Sequence, residues 1–214
     1  MIELGLKFTL AYLVGGVMGA LVIGRFRGGI DIRTMGSGNA GGTNALRTQG
    51  KAFAAGVMLV DIGKGILAAW LIPRLDFPPV AIDAGVDREL VLHAVAFGAI
   101  LGHVFPIWFG FQGGKGGATA AGLVVYLAPG LGLAVIGLWL AIVFLTGFVG
   151  LATISATLAA AAWLGVFALP ERATLFGFAC LVAALTLYTH RGNIARMAQG
   201  KESRFSRFFG LGPR

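Results

Sequence analysis

Long apolar segments alternate with short polar ones along most of this chain. Residues 4–23, 52–72 and 90–111 are each predominantly apolar over about the 20 residues that an α-helix needs to cross a bilayer. Residues 118–188 continue the apolar pattern for much longer and contain only two charged residues. The pattern predicts an all-α, polytopic integral membrane protein.

The number of spans depends on how the segment 118–188 is divided. Breaks near Pro129, within 147–150 and near Pro170 would give four short, tilted helices. Two helices of about 20 residues would leave the remaining apolar residues unassigned. We therefore favour seven transmembrane helices, with five as the alternative, in a single membrane domain that covers residues 1–214.

The distribution of basic residues predicts the orientation in the membrane. The polar segments 24–51, 112–117 and 190–214 hold five, one and six Lys or Arg residues, whereas the opposite side holds four. Because cytoplasmic loops carry the excess of Lys and Arg, the N-terminus is expected outside and the C-terminus in the cytoplasm.

The composition agrees with a membrane protein and narrows the function. Apolar residues make up 57% of the chain, charged residues 12%, and the formal net charge is +8. Basic loops that face anionic lipid explain this charge, so nucleic-acid binding is not expected. Cys180 is the only cysteine, which excludes an intramolecular disulfide, and the sequence has no metal-ligand cluster.

The second cytoplasmic loop, within 112–117, places four glycines around Lys115. Consecutive glycines allow backbone N–H groups to converge on an anion, and a lysine adds a point charge suited to phosphate. The loop is not a nucleotide-binding P-loop, because Phe109 and Gly116 stand where that motif requires glycine and Ser or Thr. A phosphate site at the membrane surface is the prediction.

The first cytoplasmic segment, 24–51, is rich in glycine and short polar side chains. Three of its glycines match the dinucleotide-binding pattern G-x-G-x-x-G, but they lie between two spans and lack the strand that this fingerprint requires. Arg47 offers a bidentate fork for phosphate. Thr43 or Asn44 is predicted to cap the next helix, whose positive N-terminal end would face the same anion.

The third segment starts at His190, and its polar residues have helical spacing. His190, Asn193, Arg196 and Gly200 are three, three and four residues apart, so they are predicted to share one helical face. Further on, an aromatic and basic tail is predicted to lie at the membrane interface. It comprises Phe205, Arg207, Phe208 and Phe209.

Two charges, Asp61 and Lys64, lie within the second span. Intramembrane charges are costly and are usually paired or functional. Their spacing of three residues favours pairing over catalysis, with Lys64 the better candidate to face a substrate cavity. His103, near the cytoplasmic end of its span, is either hydrogen-bonded to a neighbour or a proton carrier.

The three polar segments together resemble the signature motifs of the bacterial acyl-phosphate:glycerol-3-phosphate acyltransferases, the PlsY family. The matching stretches are 37–47, 102–116 and 190–202, in the family's order and on one side of the membrane. The departures are mild and fall at Gly42, Gln112 and Gly117.

The resemblance implies a reaction and a location. A long-chain acyl phosphate would donate its acyl group to the 1-hydroxyl of glycerol 3-phosphate, giving 1-acylglycerol 3-phosphate (lysophosphatidic acid) and phosphate. This would be the first step of membrane phospholipid synthesis. The enzyme would be a monomer in the bacterial plasma (inner) membrane, with its active site facing the cytoplasm and without metal or cofactor.

The resemblance also implies roles for residues. The catalytic residues would be Ser37, Arg47, Lys115, His190 and Asn193. The substrate-binding residues would be Gly38, Asn39, Thr43, Asn44, His103, Gly113, Gly114, Gly116, Thr119, Arg196 and Glu202. Within these sets the second loop would bind phosphate, Ser37 and Arg47 would position the substrates, His190 and Asn193 would bind glycerol phosphate, and Glu202 would mainly hold a basic residue.

The proton of the attacking hydroxyl needs an acceptor, for which the departing phosphate, His103 and His190 are candidates. Neither histidine has an evident acidic partner in the sequence, so we favour the phosphate itself.

The main alternative is a membrane transporter of a phosphorylated solute. It would share basic glycine loops and broken helices. The polar residues lie on one predicted face without an internal repeat, and only Asp61 and Lys64 favour transport.

Overall fold

The computed structural model describes residues 1–78, 80 and 82–205. Ten α-helices and no β-strand occur within these residues; Phe77 and Val80 form an isolated bridge. The helices are α1 (Ile2–Gly15), α2 (Gly19–Phe26), α3 (Gly42–Gln49), α4 (Lys51–Leu71), α5 (Arg88–Val104), α6 (Gly117–Leu127), α7 (Pro129–Thr146), α8 (Val149–Phe167), α9 (Ala173–Thr189) and α10 (Arg191–Ala198). The predicted all-α class is confirmed, and the tail residues Arg207, Phe208 and Phe209 lie outside the described residues.

Four helical segments of the described chain are long and apolar enough to cross a membrane. They are Lys51–Arg74, Arg88–Phe109, Pro129–Thr146 and Val149–Phe167. Two bent pairs, α1 with α2 at 40° and α9 with α10 at 55°, raise the number to six if each pair is one span. The predicted seven spans also require α6, and that count stays a prediction.

The segment 118–188 divides into helices at the predicted positions. Helix α7 begins at Pro129, α8 begins after the turn at Gly147, and α9 begins after Pro170. Gly147 ends α7 in the left-handed conformation, which glycine adopts without steric cost. Helix α6 has only 11 residues, about 16 Å of rise against a hydrocarbon core of about 30 Å.

The chain forms two compact units, Met1–Tyr126 and Leu127–Arg214. In the first unit α1 packs along α5, while α4 packs against α1, α2, α3 and α5. In the second unit α8 packs between α7 and α9, and α10 lies against α8 and α9.

Glycines bring α1 and α5 into close contact. A Cβ atom at Gly15 would collide with the backbone of Ala99, and one at Gly102 would collide with the carbonyl of Tyr12. A Cβ at Gly98 would lie 2.8 Å from the carbonyl oxygen of Phe8. Small residues allow this approach, and packing of this kind contributes much of the association of membrane helices.

We therefore expect Gly98→Ala to destabilise the protein by about 1–3 kcal/mol, because the new methyl group must push α1 away from α5. Gly63→Ala in α4 is the matched control, since no atom lies within 4 Å of a Cβ at that position. Thermal unfolding in detergent measures both variants. Equal midpoints for the two variants would contradict the close packing.

The N-terminal ends of α1 and α5 are joined by a buried carboxylate. Glu3 accepts hydrogen bonds from Lys7 Nζ at 2.7 Å and from Arg88 at 2.8 Å. Lys7 also donates to the carbonyl of Pro73 at 2.8 Å. Lys7 and Arg88 thus lie at the same end of the unit, as the charge pattern predicts.

Candidate functional site

The first polar loop is held together by the buried side chain of Asn44. Its Oδ1 accepts a hydrogen bond from the backbone N–H of Ser37 at 3.0 Å. Its Nδ2 donates to the carbonyls of Ile32 at 2.9 Å and Met35 at 3.0 Å. Both amide hydrogens are therefore used within the protein, which differs from the predicted substrate contact. Asn44 fixes the loop from which the exposed Ser37 projects.

The predicted cap of the next helix is wrong. Helix α3 begins after Gly41, and this N-cap residue provides no side-chain hydrogen bond to the first turn. Thr43 and Asn44 lie inside the helix, where their backbone is already helical. Sequence alone favoured these residues because Thr and Asn are common caps, whereas here the N-cap is a glycine, which has no side chain to accept a hydrogen bond.

The remaining residues of this loop lie around its turns and the start of α3. Gly38 adopts a φ of +73°, and a Cβ at Gly41 would collide with the Asn39 amide at 2.7 Å. Arg47 lies in the last turn of α3. Glycine is required at the left-handed position, because other residues adopt it only at a cost.

The second loop folds back onto the last turn of α5. The N–H of Gly114 donates to the carbonyl of His103 at 3.0 Å. A Cβ at Gly113 would collide with the same carbonyl, and a Cβ at Gly114 would collide with Nε2 of the His103 ring. Gly116 has a φ of +82°, after which α6 begins at once. Lys115 therefore lies directly before the positive end of a helix, the arrangement that favours an anion.

Arg33 connects the first loop to the second. Its guanidinium lies over the Phe109 ring at 5.8 Å and donates to the carbonyl of Gln112 at 3.4 Å. It also forms an ion pair with Asp31 at 2.7 Å, which lowers the pKa of Asp31 below its ordinary value. In the sequence Arg33 was only one more basic residue of a basic segment, so this connection was missed.

Thr119 is fully buried and does not line an open surface. Its hydroxyl donates to the carbonyl of Asp61 at 2.9 Å, which joins α6 to α4. The predicted substrate contact of Thr119 is not supported by this geometry. Its side chain instead fixes the helix that follows the second loop.

Asp61, Lys64 and His103 form a buried polar cluster in the first unit. Lys64 Nζ lies 3.0 Å from Asp61 Oδ1 and 2.9 Å from His103 Nδ1. The predicted pairing of Asp61 with Lys64 is confirmed. The predicted orientation of Lys64 toward a substrate cavity is not confirmed, because the ammonium is buried among protein acceptors.

The same ion pair stabilises a break in the first span, which the sequence did not predict. The span bends at residues 16–18, between α1 and α2. Lys64 donates to the carbonyl of Val17 at 2.7 Å, and Asp61 accepts from the N–H of Gly19, the first residue of α2, at 3.1 Å. Non-helical backbone at membrane depth needs such partners. The two charges that favoured a transporter are thereby accounted for by the fold.

The expectation that neither histidine has an acidic neighbour is wrong for His103. Asp61 Oδ1 lies 3.5 Å from His103 Nδ1, although the closer partner of that nitrogen is Lys64. Asp61 and His103 are 42 positions apart in the chain, on different helices, so sequence spacing gave no signal of this contact.

In the second unit, Gly200 brings Glu202 back onto α10. Gly200 has a φ of +66°, and the N–H of Lys201 donates to the carbonyl of Arg196 at 2.8 Å, a common way to end a helix. Glu202 then accepts from Asn193 Nδ2 at 2.6 Å and from Arg196 Nε at 2.7 Å. The predicted role of Glu202 in holding a basic residue is confirmed at Arg196, and Asn193 and Arg196 share one face as predicted. The predicted place of Gly200 on that face is wrong, because α10 ends at Ala198 and Gly200 is left-handed.

His190 precedes α10 and is buried. Its Nδ1 lies 2.9 Å from the carbonyl oxygen of Thr186. A carbonyl can only accept, so this hydrogen bond forms when Nδ1 carries a proton.

The model of the glycerol-3-phosphate acyltransferase family matches residues 6–200 of this chain. Curated relatives named glycerol-3-phosphate acyltransferase are similar over most of their length. The Myxococcus xanthus protein is 39% identical, over 92% of this chain and 96% of its own. The Rhodospirillum rubrum protein is 40% identical, over 94% of this chain and 90% of its own. The Chlorobaculum parvum protein is 37% identical, over 92% of this chain and 94% of its own.

Two solved structures of PlsY, an integral membrane glycerol 3-phosphate acyltransferase, are similar in fold. The glycerol 3-phosphate form has a TM-score of 0.84 and 35% identity, covering 98% of this chain and 99% of that one. The lysophosphatidic acid form has a TM-score of 0.81 and 34% identity, covering 96% and 98%.

Proposed function

Because this chain belongs to the glycerol-3-phosphate acyltransferase family, we propose that it transfers an acyl group from a long-chain acyl phosphate to the 1-hydroxyl of glycerol 3-phosphate. The products are 1-acylglycerol 3-phosphate and inorganic phosphate, and the step begins membrane phospholipid synthesis. Glycerol 3-phosphate as acceptor is supported by the names of the relatives and by the two forms of PlsY.

The observation that carries the proposal is the second loop. Glycines 113, 114 and 116 shape a turn that leads into α6, with Lys115 at its positive end. Such a loop suits a phosphate ester or acyl phosphate. An acyl phosphate already has a good leaving group, so the reaction needs no covalent enzyme intermediate.

The bond changes balance without a cofactor. The hydroxyl oxygen of glycerol 3-phosphate attacks the carbonyl carbon of the acyl phosphate and forms the ester bond. The bond between the carbonyl carbon and the phosphate oxygen breaks, and phosphate leaves with its electron pair. The departing phosphate accepts the hydroxyl proton, which is substrate-assisted base catalysis.

The residues act by binding and electrostatics. Two phosphates must lie close together, so cations must offset their repulsion. We assign Lys115 and the glycines of its loop to one phosphate, with Ser37, Gly38, Asn39, Thr43 and Arg47 positioning the substrates. We assign His190, Asn193 and Arg196 to glycerol 3-phosphate on the resemblance of their segment to the family motif.

The proposed topology has seven crossings, with α6 the shortest, the N-terminus outside and the C-terminus in the cytoplasm. The twelve Lys and Arg residues of the three basic segments, against four on the opposite side, support it. The chain then works as one monomeric enzyme in the bacterial plasma membrane, with its active site in the cytoplasm.

The test supplies purified protein in lipid with glycerol 3-phosphate and either acyl phosphate or acyl-CoA. We expect lysophosphatidic acid to form, with equimolar phosphate release, from acyl phosphate only. Formation of lysophosphatidic acid from acyl-CoA but not from acyl phosphate would contradict the proposed donor. In sealed vesicles given glycerol 3-phosphate externally, activity in inverted but not in right-side-out vesicles is expected, and the reverse would contradict the orientation.

A further inference from the structure

The buried lysine of the first unit has an acceptor for each of its protons. An ammonium group carries three N–H donors and no acceptor. Three acceptor atoms lie within 3.0 Å of Lys64 Nζ: the carbonyl oxygen of Val17 at 2.7 Å, His103 Nδ1 at 2.9 Å and Asp61 Oδ1 at 3.0 Å. For all three hydrogen bonds to form, Nδ1 of His103 must carry a lone pair rather than a proton.

The charges in the cluster favour the same state. Asp61 is completely buried, and its Oδ1 lies closer to Lys64 than to His103 Nδ1. A proton on Nδ1 of a neutral ring would point at the ammonium unless the lysine were neutral, and a doubly protonated ring would place two cations beside one anion. Buried charges are tolerated when they are paired, so the ammonium, the carboxylate and a neutral imidazole form the most stable combination.

The proton of the neutral His103 ring is then on Nε2, at the edge that faces the second loop. A Cβ at position 114 would collide with Nε2, so only glycine fits against this edge of the buried ring. Gly114 belongs to the loop assigned to phosphate, and its N–H is already bonded to the His103 carbonyl. The Nε2–H group is therefore a donor directed at the glycine loop, and a donor cannot act as a base.

From these contacts we propose that Asp61 and Lys64 are positioning residues that hold His103 as its neutral Nε2–H tautomer. In this state His103 donates a hydrogen bond to the phosphate bound at 113–116 and takes no proton from the substrate hydroxyl. The inference deepens the proposed function and rests on it for the identity of the ligand. The tautomer itself depends only on the fold.

The tautomer is measured first, by nitrogen NMR of the full chain in lipid with ¹⁵N-labelled histidine. The chain has three histidines, and the spectrum of His103→Gln identifies the signals of His103. We expect Nε2 protonated and Nδ1 unprotonated. A protonated Nδ1 overturns the proposal, whether or not the protein has acyltransferase activity.

Two amide variants then separate the roles of the ring. The amide of His103→Gln reaches the position of Nε2 and can donate, whereas that of His103→Asn reaches the position of Nδ1 and can only restore the contact with Lys64. We expect kcat/KM of the Gln variant to exceed that of the Asn variant by about tenfold or more, since a hydrogen bond to a charged group is worth about that much.

The opposite outcomes are distinct. Equal, strongly reduced kcat/KM values in both variants would indicate a base and overturn the proposal, and a more active Asn variant would indicate a purely structural ring. An inactive wild type with the expected tautomer would instead contradict the proposed function. Because the NMR measurement uses the wild type, the proposal remains testable if a variant fails to fold.

Discussion

Arg47→Ala and Lys115→Ala are each expected to lower kcat/KM for acyl transfer by about 100-fold or more. Two phosphates approach each other during the proposed reaction, and removal of a preorganised charge that faces developing charge costs about this much. The rate is measured as phosphate release from acyl phosphate in the presence of glycerol 3-phosphate. The folded state of each variant is checked by its thermal unfolding.

Lys51→Ala is the matched control for these variants. It removes one positive charge from the same basic segment, but Lys51 is exposed at the start of α4 and has no assigned role in the site. Its activity should remain close to that of the wild type. Full activity in Arg47→Ala or Lys115→Ala would exclude a phosphate site built on that residue.

Lys64→Met is expected to destabilise the protein by about 3–5 kcal/mol, because it leaves the Asp61 carboxylate buried without its cation. Asp61→Asn should cost a similar amount, since the ammonium of Lys64 then lacks its anion. In Lys64→Met the carbonyl of Val17 would also lose its partner at the break between α1 and α2. Unfolding by denaturant in detergent measures these changes.

The double variant Asp61→Asn/Lys64→Met distinguishes an ion pair from two independent residues. It removes both charges, so its loss of stability should be smaller than the sum of the single losses by about 1–3 kcal/mol. Lys51→Met, at the exposed end of the same helix, should change stability little. Additive losses would show that the two charges do not stabilise each other.

The tautomers in the two units bear on the choice of base. In the tautomer that we propose, His103 Nδ1 accepts a hydrogen bond from Lys64, whereas His190 Nδ1 lies against the carbonyl of Thr186 and carries a proton when it donates to it. If His103 is the donor that we propose, the departing phosphate and His190 remain as proton acceptors. The acidic neighbour of His103 therefore does not make it a base.

The sequence predicted the helical class and most helix ends, because these depend on local patterns. Pro129, Gly147 and Pro170 interrupt an apolar run at positions where the helices do break. The first span is different, since residues 4–23 are almost uniformly apolar and contain no proline. Its break is stabilised by two side chains of α4, more than 40 positions away.

The same distinction between local patterns and distant contacts applies to the candidate site. The pairing of Asp61 with Lys64 followed from their spacing of one helical turn, and the contact of Glu202 with a basic residue followed from the third motif. Asn44 and Thr119 were expected at the substrate, but their polar atoms bond to backbone groups that a sequence cannot locate. The same reason applies to Arg33 and its contact with the second loop.

By itself the sequence indicated a helical membrane protein with three polar segments that resemble the motifs of one family. Apolar lengths, glycine clusters and helical spacings are local properties, so they can be read along the chain. The tertiary structure decided which buried donor meets which acceptor, such as Lys64 with His103 across 39 positions. A buried polar group must find a partner, but only the packing of the helices determines which one.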